Sequence, residues 1–131
     1  MMIEHVAWHV PDPAAMADWY VKHLGMRLVR SADAPVPVRF LAAANGSGMI
    51  EVYRNDKAPL TDMAGFHPLQ LHLAFESEDV DADCRHLAAA GATVVDAPFS
   101  SHAGDRLAML RDPWQVPLQL VRRAQPMDNR G

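Results

Sequence analysis

The run GMIEVYR, residues 48–54, decides how this chain is read. Met49, Ile50, Val52 and Tyr53 mark a β-strand, because β-branched and aromatic side chains suit a pleated, half-buried surface. Glu51 interrupts them. A carboxylate inside an apolar strand must be solvated, paired or bound to a cation, since burying it alone costs too much. Strand side chains alternate between two faces. Ile50 and Val52 therefore share one face, and Met49, Glu51 and Tyr53 share the other.

Outward from this strand, the chain reads as one unit written twice. IEHVAWHV (3–10) alternates as a strand should. DPAAMADWYVKHLG (12–25) has helical spacing, with Asp12 placed as N-cap, Pro13 at the first helical position and Gly25 just past the end. Strand-like runs follow at 26–31, 38–43 and 49–54, with Asn45-Gly46 as a tight turn before the last. Residues 56–68 are polar, contain proline and lack a period, which predicts a linker. The pattern then restarts. LQLHLAFE (69–76) reads as a strand, and SEDVDADCRHLAAAG (77–91) as a helix with Ser77 as its cap and Gly91 as its stop. ATVVDAPF, RLAMLR and PLQLVR supply three more strands. Each half is β-α-β-β-β, so module one covers about 1–55, module two about 69–122, and 123–131 is a polar, frayed tail.

Composition narrows the function. The 131 residues suit one domain built from two joined modules, and half of them are hydrophobic, enough for a core. The net charge of −4 and the absence of a basic run argue against nucleic acid or an anionic membrane as partner. No charged leader, long apolar stretch or second cysteine accompanies Cys84, which predicts a cytoplasmic protein without disulfides. The Ala, Pro, Asp and Arg usage points to a bacterium.

Face by face, the first and last strands of each module repeat one arrangement. Val6, Trp8 and Val10 oppose His5, Ala7 and His9; Leu71, Leu73 and Phe75 oppose Gln70, His72 and Ala74; Leu118 and Leu120 oppose Pro117, Gln119 and Val121. The apolar faces are expected to bury against the two helices. The mixed faces carry His5, Glu51, His72 and Gln119, one near the centre of each strand. The separations match: 46 positions from His5 to Glu51 and 47 from His72 to Gln119. Each of these residues alone reads as an ordinary polar side chain on a half-exposed strand. Their equivalent placement in two repeats predicts a divalent-metal site of two imidazoles and two oxygen donors. Trp8, Trp19 and Phe75 read as core, His23 and His86 as solvent-facing positions near helix ends, and Cys84 as a helix residue without a neighbouring base.

With these pieces in place, the chain resembles the vicinal oxygen chelate superfamily, which includes glyoxalase I, bleomycin-resistance proteins, fosfomycin-resistance enzymes, methylmalonyl-CoA epimerase and extradiol dioxygenases. EHVAWHVPDPAAMADWYVKHLGMRLV, GMIEVY, LHLAFESEDVDADCRHLAAAGA and LRDPWQVPLQLV carry the resemblance across nearly the whole chain. It implies an α+β fold of two βαβββ modules, forming a cup-shaped mixed sheet with helices on its outer face. It implies a homodimer, and one divalent ion (Ni, Zn, Co, Mn or Fe(II)) held by His5, Glu51, His72 and Gln119. The set is most similar to the glyoxalase I type.

Three departures bear on chemistry. Gln119 stands where glyoxalase I has a glutamate, His9 where the bacterial enzyme has a substrate-contacting arginine, and Gln115 where a glycine is usual. The implied activity is a metal-dependent isomerase or lyase acting on a small molecule with two adjacent oxygens. Glu51 would be the proton-moving group, and His9, Tyr53 and His102 would contact substrate. Two alternatives stay open. His5, His72 and Glu51 have the ligand composition of an Fe(II) dioxygenase, and a metal-free drug-binding protein of the bleomycin-resistance type has the same fold.

Overall fold

The chain divides into two units, Met1–Thr61 and Asp62 onward. A computed structural model describes residues 1–127. The first unit runs β1 (Val6–His9), α1 (Pro13–Leu24), β2 (Arg27–Ala32), β3 (Val38–Ala42) and β4 (Met49–Tyr53). The second opens with a short 3-10 helix (Met63–Gly65) and continues β5 (Leu73–Glu76), α2 (Val80–Ala89), β6 (Thr93–Ser100), β7 (Arg106–Arg111) and β8 (Pro117–Arg122). Each unit forms a four-stranded mixed sheet, in the order β1-β4-β3-β2 and β5-β8-β7-β6. The first strand runs parallel to the last, and the other pairs are antiparallel. The α+β class and the duplicated βαβββ order are therefore those expected from the sequence.

Each helix packs on one face of its own sheet. In the first unit, Met16, Ala17 and Tyr20 of α1 are buried, together with Leu41, Ile50 and Val52 of the sheet. In the second, Val80, Cys84 and Leu87 of α2 are buried, together with Ala108, Leu110, Leu118 and Leu120. Full burial of side chains of this size stabilises by about 1.5–3 kcal/mol each. Ile50, Val52, Leu118 and Leu120 lie on the apolar faces read from strand parity, whereas Val6 of β1 and Leu71 just before β5, expected on the same buried faces, are exposed, and Leu73 is half-buried, because β1 and β5 are the edge strands of their sheets. Trp8 also belongs to the core, while Trp19 and Phe75 are only half-buried. His23 packs against the Trp19 ring, with centroids 5.3 Å apart, whereas His86 is exposed. Burial pushes the Cys84 thiol up, and nearby Asp81 adds to the shift, so the thiolate form is disfavoured.

The helix caps show the duplication at atomic detail. Asp12 Oδ1 accepts the Ala15 N–H at 3.0 Å, and Gly25 ends α1 in the left-handed region at φ 67°. The second helix begins later than the 77–91 expected. Asp79, and not Ser77, is its cap: Asp79 Oδ1 accepts the Ala82 N–H at 3.0 Å. Asp12 and Asp79 have nearly the same backbone angles, φ −139° and −138° with ψ 86° in both. Ser77 is buried and its hydroxyl donates to Asp83 Oδ2 at 2.6 Å. Serine and aspartate cap comparably well, but the Ser77 hydroxyl is taken up by Asp83, which leaves the cap to Asp79.

The strands expected at 3–10 and 69–76 are both shorter at their starts. The 67–71 segment turns, with the Gln70 and Leu71 N–H groups donating to the His67 carbonyl. Pairing of β5 begins at Leu73 with Leu118, beside Pro117, which has no N–H to extend a ladder. The expected linker, 56–68, is not featureless: Asp62 caps the 3-10 helix by accepting the Gly65 N–H at 3.2 Å. The tail begins firmly. Arg123 pairs with Asp105 at 2.8 Å, and the Ala124 N–H donates to the same carboxylate at 2.8 Å. The remainder of the tail, 128–131, lies outside the described residues.

The turn before β8 is built around Asp112, which is buried and accepts the Trp114 and Val116 N–H groups at 2.8 and 2.9 Å. Gln115 sits in this turn at φ 71°, a conformation that favours glycine. Relief of left-handed strain should outweigh the entropy cost of a glycine. Gln115→Gly is therefore expected to raise stability by about 0.5 kcal/mol. The check is a higher midpoint in denaturant with an unchanged slope; a lower midpoint would show that no strain is stored there.

Candidate functional site

Each unit places a histidine at the equivalent sequence position relative to an oxygen donor in the last strand. In the first, Ala7 of β1 pairs with Glu51 of β4, and His5 lies two residues before Ala7 on the same face. In the second, Ala74 of β5 pairs with Gln119 of β8, and His72 lies two residues before Ala74. Both histidines, expected near strand centres, stand one residue before their strands begin, so side-chain contacts and not the ladder set their direction. Phe40 and Met109 occupy the equivalent positions on the other side of Glu51 and Gln119.

His5 Nε2 lies 3.0 Å from Glu51 Oε2, and His5 Nδ1 lies 2.9 Å from Glu4 Oε2. The Phe40 ring meets the His5 ring edge-on, with centroids 5.4 Å apart. Each imidazole nitrogen thus faces a carboxylate. A neutral imidazole has one N–H only, so with its proton directed at Glu4 it brings a lone pair against Glu51. A proton or a cation has to lie between Nε2 and Oε2 for that contact to be favourable. Two donors held by one ion at about 2.1 Å stand about 3.0–3.4 Å apart, so the pair fits a shared divalent ion. The side chains are 29% and 20% exposed, enough for access.

His72 is prepared in a related way. Its Nδ1–H donates to the Pro68 carbonyl at 2.7 Å, which leaves the Nε2 lone pair available. Ligating histidines characteristically commit their second nitrogen to a carboxylate or a backbone carbonyl. Glu4 and the Pro68 carbonyl fill these two roles. The sequence reading missed both, although Glu4 adjoins His5. Among the described residues, no three His, Cys, Asp or Glu side chains are arranged together to hold a metal ion. Each unit alone presents two donors.

His9 is engaged differently. It is buried, its Nδ1–H donates to the Pro59 carbonyl at 2.8 Å, and its Nε2 accepts the Asn55 N–H at 2.6 Å. Its backbone exchanges hydrogen bonds with Thr61: the His9 N–H donates to Thr61 Oγ1 at 3.1 Å, and the Thr61 N–H donates to the His9 carbonyl at 3.1 Å. The neutral Nδ1–H tautomer is thereby fixed, and the ring fastens the 55–61 segment to β1. Tyr53, its partner across β4, stacks on it at 5.2 Å. His102 is exposed in the turn between β6 and β7. That turn lies beyond the Arg106–Arg122 pair, away from the Met109–Gln119 pair.

Residues 2–120 match the family model described as Glyoxalase/Bleomycin resistance protein/Dioxygenase superfamily. No curated protein matches the chain. Among solved structures, a mutant glyoxalase I from Zea mays is similar at 25% identity with a TM-score of 0.73, over 92% of this chain and 45% of that one. The chain thus spans less than half the length of that relative. A glyoxalase/bleomycin resistance protein/dioxygenase family enzyme from Burkholderia phytofirmans PsJN is similar at 22% identity and a TM-score of 0.74, over 90% of this chain and 95% of that one. A glyoxalase family protein from Bacillus cereus is similar at 18% identity and a TM-score of 0.78, over 92% and 93% of the two chains. No helix among the described residues is long and apolar enough to cross a membrane.

Proposed function

The chain belongs to the glyoxalase/bleomycin resistance protein/dioxygenase superfamily, and we propose that it acts there as a divalent-metal-dependent isomerase or lyase of the glyoxalase I kind. Its substrate is a small molecule with two adjacent oxygens. The supporting observation is the pair of equivalent half-sets, His5 with Glu51 and His72 with Gln119, each histidine with Nδ1 already committed. In this reading the two half-sets serve one ion, which polarises a substrate carbonyl when bound.

The chain's own residues do the rest. Glu4 and the Pro68 carbonyl orient the imidazoles so that Nε2, not Nδ1, is the donor atom. Glu51 supplies the carboxylate of the set, whereas Gln119 cannot accept a proton at neutral pH. Proton transfer is therefore assigned to Glu51. Tyr53 lines the substrate side, held flat by the His9 ring, so His9 acts by positioning.

The test is metal analysis of protein purified without chelator, followed by assays with hemithioacetals, 2-hydroxy- and 2-oxo-thioesters, and catechols, using Ni, Co, Zn, Mn or Fe(II). The expected result is about one ion per four-donor set and turnover without oxygen uptake, abolished by chelation and restored by metal. Full turnover after metal stripping would overturn the reading. Oxygen consumption with Fe(II) and a catechol would replace it with a dioxygenase. Glu4→Ala is expected to weaken metal binding about 10–100-fold by freeing the His5 ring. A competition titration measures this, and unchanged affinity would remove Glu4 from the site.

A further inference from the structure

At the far end of the second unit's sheet, a cleft of about 290 Å³ is lined by Arg106, Arg122, Arg123, Gly104 and Ala124. Three guanidinium groups on one cleft stand out in a chain whose net charge is −4. Arg106 and Arg122 are also direct cross-strand partners in the β7–β8 pairing. Like charges placed opposite one another disfavour a sheet unless something neutralises them.

The neutralisation is incomplete. Asp81, in the first turn of α2, takes Arg106 in a two-pronged contact at 2.7 and 2.9 Å. Asp105 takes Arg123 at 2.8 Å. The Arg106 and Arg123 bonds hold Asp81 and Asp105 below the usual carboxylate range, and the Ala124 N–H contributes most at Asp105. Two carboxylates therefore answer three guanidinium groups, and no carboxylate among the described residues pairs with the exposed Arg122. Arg122 lies on the helix-side face with Leu118 and Leu120, opposite to that of Gln119, so this cleft is separate from the half-set on β8. Gly104 turns the wall of the cleft at φ 87°, a backbone conformation that favours glycine.

We infer that this arginine-lined cleft is a second binding site, for a phosphate group of a small phosphorylated ligand, with Arg122 as its open fork. Guanidinium presents paired N–H donors that match tetrahedral oxyanions, and the salt-bridged Arg106 and Arg123 give the fork a rigid frame.

Inorganic phosphate and a simple phosphomonoester are the probes, titrated calorimetrically into the full chain at matched ionic strength, with chloride as control. Saturable binding at a Kd of about 1 mM or tighter is expected. Arg122→Gln should weaken it at least about tenfold, and Arg122→Lys should fall between, because lysine keeps the charge but loses the fork. His72→Ala and Lys22→Gln should bind as wild type, which separates this cleft from the half-set donors and from general surface charge. Absence of saturation in wild type up to about 10 mM would overturn the inference. So would wild-type affinity in Arg122→Gln, or loss of binding in His72→Ala.

Discussion

Glu51→Gln is expected to lower kcat about 10²–10⁴-fold while leaving the fold intact and weakening metal binding only modestly. The amide is close in shape to the carboxylate, so the β4 register and the packing of Ile50 and Val52 have no reason to change. What changes is the proton balance. Glu51 is the carboxylate among the four proposed donors; His5 and His72 have Nδ1 committed elsewhere, and Gln119 is neutral. A general base acts in the transition state, so its loss should appear in kcat and in kcat/KM alike, with little change in KM. The measurement is steady-state kinetics on whichever substrate of the panel turns over, with metal content determined on the same samples. Full turnover in Glu51→Gln with metal bound would remove the base assignment and leave the proton step to another group. The His5 contact gives an independent readout. An amide that turns its NH₂ toward Nε2 satisfies that nitrogen without a proton or a cation, so metal affinity should fall modestly as well.

Much of this was legible in the sequence, for identifiable reasons. Strand parity needs only a period of two, and Ile50 and Val52 against Glu51 supplied it. The α1 cap was legible because Asp12-Pro13 and Gly25 each have one strong physical meaning. The α2 cap was misread because Ser77 and Asp79 are both good caps, and side-chain context decided between them: Ser77 is taken up by Asp83. Comparison of the two modules would have resolved it, since Asp12 precedes Ala15 as Asp79 precedes Ala82. The strand starts were overextended because hydrophobic alternation says nothing about where a partner ends, and Pro117 ends it for β5. The hydrogen bonds of His9 could not be read at all. Its partners Asn55, Pro59 and Thr61 lie 46–52 positions away in a segment that looked like a plain linker. A carbonyl such as that of Pro68 is equally invisible, since backbone acceptors leave no trace in residue type.

His72→Ala is expected to weaken metal binding by more than about 100-fold, beyond what loss of an outer-shell partner costs. The argument rests on commitment. The Pro68 carbonyl holds the His72 Nδ1–H at 2.7 Å, so the ring enters the site with its tautomer and direction already set, and no ordering cost remains to be met on binding. Removing the ring discards a donor prepared in advance, and the position is exposed, so little packing is lost and the fold should be retained. Gln119→Ala should cost less, since a neutral amide oxygen is the weakest donor of the four proposed. Competition titration with a chromophoric chelator orders the variants, and wild-type affinity in His72→Ala would remove module two from the site. The same variant decides which chains supply the donors. His72→Ala and His5→Ala chains, each deficient alone, are mixed under conditions of confirmed subunit exchange. Sites drawn from two chains of a homodimer regain one intact donor set in each mixed dimer, so metal binding should return to a measurable fraction of the wild-type value. Sites drawn from one chain regain none, because every chain in the mixture still lacks one of the two imidazoles.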